Sequence, residues 1–338
     1  MADDPKRRQL RLFADDEVKP APGVEPVAPD PELRELASRL PDQLRLGTSS
    51  WSFPGWKGLV YRKKVSAKRL SKEGLSAYAS HPLFRTVGLD RTHYAPMSAE
   101  EFRAHADQVP DDFRFLVKAH EACTLLRFPQ HPRYGRLKGK ENDRFLDPEY
   151  ALREVVQPVL SGLGEKAGPI LFQVAPQSFE PIGGNGAFIE RLHEFLGSLP
   201  QGPLYAVEIR NRELLRESYA AALKDRDAVH CLNALERMPS LDEQWHLARV
   251  GQARAMVIRW MVHPTLDYDQ AKQRYEPFDR LVDEDPRTRA TISELVLGAA
   301  EAGQPIYVIV NNKAEGSSPL SILELARTIA ADTNDHST

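Results

Sequence analysis

Eight short runs rich in β-branched, leucine and aromatic residues, each followed by a stretch with helical spacing, organise this chain. They fall at residues 44–49, 85–90, 113–119, 169–174, 204–209, 229–234, 255–260 and 306–311, and their lengths suit strands. Helix-start signals lie between them. Ser98-Ala99-Glu100-Glu101 and Ser240-Leu241-Asp242-Glu243 have the capping-box spacing, in which a hydroxyl and a carboxylate satisfy free backbone donors. Asp147-Pro148, Asp285-Pro286 and Ser318-Pro319 each set a capping side chain ahead of a proline at the first helical position. Eight strand–helix units predict an α/β fold closed into a parallel TIM (β/α)8 barrel. A doubly wound open sheet is the alternative, but no Gly-rich phosphate fingerprint follows the first strand. Residues 120–147 exceed an ordinary βα loop and are expected to form an insertion after the third strand, covering one side of the barrel mouth.

The 338 residues leave room for extensions around such a barrel, and we divide them into a tail (1–40), a barrel (41–331) and a polar C-terminal tail (332–338). The first segment is rich in Pro, Asp and Glu and is expected to be disordered or loosely attached. One apolar island interrupts it. Gln9-Leu10-Arg11-Leu12-Phe13 resembles the short peptide by which bacterial polymerases and repair proteins dock on the sliding clamp. In that mode Gln9, Leu10, Leu12 and Phe13 are the clamp-binding residues, an extended peptide placing two apolar anchors in a groove while the Gln amide bonds at its rim. Packing of the same island back onto the barrel is the alternative. No apolar run reaches the roughly 18 residues of a membrane span, and the N-terminus lacks a signal-peptide core, so a cytoplasmic protein is expected. Two cysteines, Cys123 and Cys231, exclude a disulfide framework and a thiolate zinc site.

Gly47-Thr48-Ser49-Ser50-Trp51-Ser52-Phe53-Pro54-Gly55-Trp56 follows the first strand, and its glycine, hydroxyls, proline and aromatics read as a functional loop. Trp51 and Trp56 are taken as ligand contacts; the alternative is that these rings cap a hydrophobic core. That run, with Phe113-Arg114-Phe115-Leu116-Val117-Lys118-Ala119, Gly168-Pro169-Ile170-Leu171-Phe172-Gln173, Ala206-Val207-Glu208-Ile209-Arg210 and Tyr307-Val308-Ile309-Val310-Asn311-Asn312, resembles the YecE-like family, domain of unknown function 72. The resemblance spans residues 44 to about 330 and implies a TIM barrel, with no settled reaction. The chain departs from the family pattern in Val87-Gly88-Leu89-Asp90, which lacks a Glu, at Met261, where a His often stands, and at Ser317, in place of a Gly-His pair.

Barrel sites form at the carboxyl ends of strands, so parity decides which side chains take part. Arg114, Leu116 and Lys118 share one face, Gln173 follows Leu171 inward, and Glu208 and Arg210 share the inward face of the fifth strand. Lys118 and Glu208 are the candidate catalytic pair, expected to form a central ion pair. Tyr94, Gln173, Arg210, Asn233, Arg259, Asn311 and Asn312 are the ligand-binding candidates around them. The residues suit anion or polyol binding, and equally a buried polar network that fixes barrel geometry. A lysine in a dry pocket also serves as a base or Schiff-base nucleophile, and the sequence selects neither role. His93, His120, Glu121 and His263 lack diagnostic metal spacing, so no cofactor is predicted and a divalent metal is a minor alternative.

The net charge of -3 gives no global attraction to nucleic acid, so the placement of positive charge matters more. Lys57, Arg62, Lys63 and Lys64 crowd the loop after the first strand, and Arg133 and Arg136 lie in the insertion after the third. Both clusters follow strand ends and are expected on one face as a phosphate rim, interleaved with Trp51, Trp56, Tyr61 and Tyr134. The leading expectation is a protein of DNA or RNA metabolism that binds nucleic acid or a phosphorylated small molecule and docks on the clamp. A non-catalytic adaptor and an enzyme of sugars or sugar phosphates, similar to xylose-isomerase-like barrels, are the alternatives.

Overall fold

The computed structural model describes residues 23–28, 30–235 and 237–335. Its strands are β1 (Leu44–Thr48), β2 (Phe84–Leu89), β3 (Arg114–Lys118), β4 (Ala167–Val174), β5 (Tyr205–Ile209), β6 (Val229–Ala234), β7 (Met256–Trp260) and β8 (Ile306–Val310). All pair in parallel with their sequence neighbours, and β8 closes on β1. The eight strands and the closed TIM barrel read from the sequence are therefore present. Outward residues such as Val87, Phe115, Phe172 and Val207 join the large core shared with the helices.

The barrel interior is layered. Leu116, Leu171, Ala206, Cys231, Val257 and Ile309 belong to a separate apolar cluster that plugs its middle. Because side chains alternate along a strand, two residues further on each strand points the same way. Those positions are Lys118, Gln173, Glu208, Asn233, Arg259 and Asn311. The same count from Gly47 and Gly88 gives Ser49 and Asp90, completing a polar ring of eight at the carboxyl end. Gly47 is needed where it stands, and Gly88 sits in a tight place. A Cβ on Gly47 would lie 1.9 Å from the Thr86 carbonyl oxygen, and one on Gly88 would lie 3.3 Å from the Ser49 Cα.

Local chemistry starts the helices as expected at four of five sites. Ser98 forms a complete capping box with Glu101, and Asp147 and Asp285 cap helices that begin at Pro148 and Pro286. At Ser240 the hydroxyl half of the box is in place, accepting from the Glu243 N–H. Ser318 differs: it is the first residue of the helix Ser318–Asp335, and its N–H and hydroxyl both donate to Asn312 Oδ1.

Two backbone bonds tie residues 23–28 to the β1 loop: Val27 donates its N–H to the Val60 carbonyl and Arg62 to that of Glu25. The helix Pro31–Ser38, capped by Asp30, packs Leu33, Leu36 and Ala37 against the core. The helix Ser318–Asp335 runs into the expected polar tail, where Asp332 accepts from Ser293. The candidate clamp peptide, Gln9, Leu10, Leu12 and Phe13, lies outside the described residues. No helix among the described residues is long and apolar enough to cross a membrane.

The insertion is present, built from short 3-10 turns at Glu121–Cys123 and Pro132–Leu137 and an antiparallel bridge between Arg127 and Glu141. It leans over the mouth beside β2 and β3, where Arg133 reaches Glu121 at 2.6 Å.

Candidate functional site

The ring at the mouth is a charge network centred on Arg259, which is 1% exposed. Its guanidinium donates to Glu208 at 2.5 Å, to both oxygens of Asp90 at 3.1 Å and to Gln173 at 3.4 Å. Arg210 holds the other Glu208 oxygen at 2.7 Å. Glu208 is fully buried. Burial would push its carboxyl up, but Arg210, Arg259 and Lys118 outweigh that and hold it well below the usual carboxylate range. It is a fixed anion, suited to holding two arginines.

The expected Lys118–Glu208 ion pair does not form. Glu208 spends both oxygens on arginines, whose planar forks match a carboxylate better than an ammonium does. Lys118 is left 7% exposed; its backbone carbonyl accepts from the Thr92 hydroxyl, but its ammonium has no hydrogen bond or ion pair among the described residues and keeps contact with solvent. Burial lowers its pKa to about 8; Arg259 and Arg210 add to this, against Asp90 and Glu208. Beside it His93 is also buried and held neutral, at about 3, by burial and by Lys118. Glu121 accepts from Arg133 and from Tyr134 at 3.1 Å, and burial raises its pKa.

A cleft of about 810 Å³ opens from this ring. Ser49, Asp90 and Asn311 form its inner end, and Ser50, Ser52, Phe53 and Gly55 of the β1 loop form one wall. Tyr268, Lys272, Glu276, Pro277 and Phe278 form the facing wall. The walls meet where a Cβ on Gly55 would lie 1.8 Å from the Pro277 carbonyl oxygen. Lys57, Lys64, Lys272 and Lys313 bring four ammonium groups to the lining. Lys313 lies 4.1 Å from the Tyr268 ring centroid and donates to Asn311 Oδ1 at 3.3 Å. Burial, with Lys272 nearby, lowers its pKa to about 8. The exposed aromatics Tyr94 and Tyr268 both line the cleft, and each is backed by a cation, Arg133 at 5.0 Å and Lys313.

Several candidates read from the sequence sit elsewhere. Trp56 is fully buried and donates its indole N–H to Asn312 Oδ1 at 3.2 Å; Trp51 is 6% exposed and donates to the Leu70 carbonyl. Both belong to the core, as the capping alternative had it, and Tyr61 joins them at 1% exposed. Asn312 is a structural acceptor that ties the β1 loop to the last helix, and Asn233 donates to the Ile209 carbonyl from a fully buried position. Of the rim, Lys57 and Lys64 line the cleft, whereas Arg62 and Lys63 pair with Glu25, Arg133 pairs with Glu121, and Arg136 is exposed outside it. The sequence reading missed Lys313, Tyr268, Lys272 and Asp90 as contributors. Inward parity past the end of β8 was the available signal for Lys313, and that past β2 for Asp90. No group of three or more His, Cys, Asp or Glu residues placed to hold a metal ion occurs among the described residues.

These features define a parallel (β/α)8 barrel with a basic, aromatic cleft at the end where barrel enzymes and binding proteins keep their sites. The chain belongs to the family described as protein of unknown function DUF72, whose pattern it matches over residues 45–338. It is 30% identical over 145 residues to UPF0759 protein YunF of Bacillus subtilis, an alignment covering 43% of this chain and 45% of that protein. The chain thus spans less than half the length of that curated relative. A DUF72 family protein from Thermotoga maritima superposes with a TM-score of 0.57 at 21% identity, over 84% of this chain and 98% of that one. One from Enterococcus faecalis gives 0.55 at 17% identity, over 84% and 94%. At these identities the likeness is one of fold.

Proposed function

We propose that the mouth cleft binds a small phosphate-bearing ligand, a sugar phosphate or a nucleotide. The observation that carries this is the convergence of Lys57, Lys64, Lys272 and Lys313 with Ser49, Ser50 and Ser52 in one cleft. Three carboxylates line it as well, but Asp90 is already neutralised by Arg259 and Glu276 lies 4.0 Å from Lys272, so Lys57, Lys64 and Lys313 outnumber the one acid left over, Asp279. Ammonium groups and hydroxyls supply charge and hydrogen bonds to phosphate oxygens, and Tyr94 and Tyr268 offer flat apolar faces to a sugar or base. A compact ligand is favoured over a nucleic-acid duplex because Arg62, Lys63 and Arg133 of the expected rim are occupied by Glu25 and Glu121.

For the setting of this activity we infer DNA or RNA metabolism at the sliding clamp, on the strength of Gln9-Leu10-Arg11-Leu12-Phe13. Clamp binding that disappears when Gln9, Leu12 and Phe13 are changed to Ala supports that setting; no binding by the intact chain removes it. The cleft is tested by thermal stabilisation with ribose 5-phosphate, glycerol 3-phosphate and adenosine monophosphate beside their unphosphorylated parents. Stabilisation by the phosphorylated member of a pair alone is expected. Equal response to both members would overturn the phosphate reading.

A further inference from the structure

We propose that Lys118 is a covalent nucleophile that forms an imine with an open-chain aldehyde or ketone carrying a phosphate group. The inference rests on the cleft reading above, which supplies the phosphate contact, and adds the reacting group. Its ground is the geometry of the mouth ring. Pairing of Gly88 with Leu116 and Leu89 with Val117 places Asp90 and Lys118 at successive facing positions of β2 and β3, in the same inward layer. Asp90 lines the cleft; Lys118, which faces it on β3, is not itself among the lining residues and is reached past Asp90.

Every other charged member of that layer has a partner. Glu208 has Arg210 and Arg259, and Asp90 has Arg259. Lys118 alone among them is buried and unpaired, although buried lysines are nearly always paired. Leaving it unpaired costs stability and leaves the amine lone pair accessible, as imine formation requires. The lowered pKa of about 8 agrees, since a substantial fraction is neutral in mildly alkaline solution.

The step balances without oxidant or reductant. The neutral amine attacks the carbonyl carbon, a C–N bond forms, and the carbonyl oxygen takes up a proton. Loss of that oxygen as water then leaves an iminium ion. Counted from the lysine ammonium, two of its three protons leave in the water and the positive charge stays on nitrogen. Both Asp90 oxygens are held by Arg259 and His93 is held neutral, so water entering from the cleft carries the protons.

Two sources offer this chemistry, a free sugar phosphate and the ring-opened sugar of an abasic site in DNA. The experiment treats the full chain at pH 8 with sodium cyanoborohydride and either dihydroxyacetone phosphate or an abasic oligonucleotide, followed by peptide mapping. A reduced adduct on the peptide carrying Lys118, exceeding that on any surface lysine by about tenfold or more, is the expected result. The probe that gives it identifies the source. An adduct spread over surface lysines, an undiminished adduct in a folded Lys118→Arg protein, or no adduct with either probe overturns the proposal. Glycerol 3-phosphate, which has no carbonyl, separates the two readings: if it binds while nothing is trapped, the phosphate cleft stands and the imine falls.

Discussion

Replacing Glu208 by glutamine removes one charge from the mouth ring while keeping its shape. The carboxylate is fully buried and spends its two oxygens on Arg259 and Arg210. Removing one partner of such a pair costs roughly 3–5 kcal/mol, chiefly because the other charge is left buried. Two features place this case at the lower end. Arg259 keeps Asp90, and the Arg210 side chain is 26% exposed and regains water. We therefore expect a loss of about 3 kcal/mol, close to two orders of magnitude in the folding equilibrium. Urea unfolding followed by circular dichroism at pH 7 measures it, with Glu217→Gln, at an exposed pair with Arg249, as a control that leaves the midpoint in place. The sign with pH is also fixed. Because the folded-state pKa of Glu208 is depressed, its contribution is complete above the ordinary glutamate value of 4.5 and fades as pH falls below it. The two proteins should therefore converge in acid. A Glu208→Gln protein within about 0.5 kcal/mol of wild type at pH 7 would refute the view that this carboxylate holds the ring together.

Gly47→Ala should cost about 3 kcal/mol or more in the same unfolding assay, because its Cβ would enter the Thr86 carbonyl across the β1–β2 ladder. Gly55→Ala, in contrast, should leave the barrel folded and weaken ligand binding, since the clash with Pro277 spreads the two walls of the cleft; unchanged affinity would contradict that wall contact. His81 and His230 are lowered by burial to about 4 and His93 to about 3, against 6.5 for an exposed histidine. The unfolded chain then binds more protons than the folded one between those values, so stability should be full above pH 6.5 and decline toward pH 4. An unfolding midpoint that does not move between pH 7 and pH 4.5 would contradict the neutral burial of these rings.

Periodicity made the barrel legible, because each strand must show apolar residues to the helix layer at alternate positions whatever its partners are. The same alternation placed Lys118, Gln173 and Glu208 in the mouth. What it could not convey was partner choice. The guanidinium that displaces Lys118 from Glu208 comes from β7, 51 residues further along the chain. Trp56 is buried because Asn312, 256 residues away, accepts its N–H, and nothing local to a Gly-Pro loop signals that acceptor. The facing wall of the cleft, including Tyr268 and Phe278, comes from a βα segment whose polar composition reads as surface. The backbone bonds that tie residues 23–28 to the β1 loop are hidden by proline-rich composition.

The most direct measurement is calorimetric titration of glycerol 3-phosphate into the full chain, beside proteins carrying Lys64→Ala and Lys313→Met. Saturable binding to the intact chain is expected, weakened about tenfold or more by either change and weakened as pH rises through about 8, where Lys313 loses its proton. Absence of binding, or binding that neither substitution alters, would contradict a phosphate site at the barrel mouth.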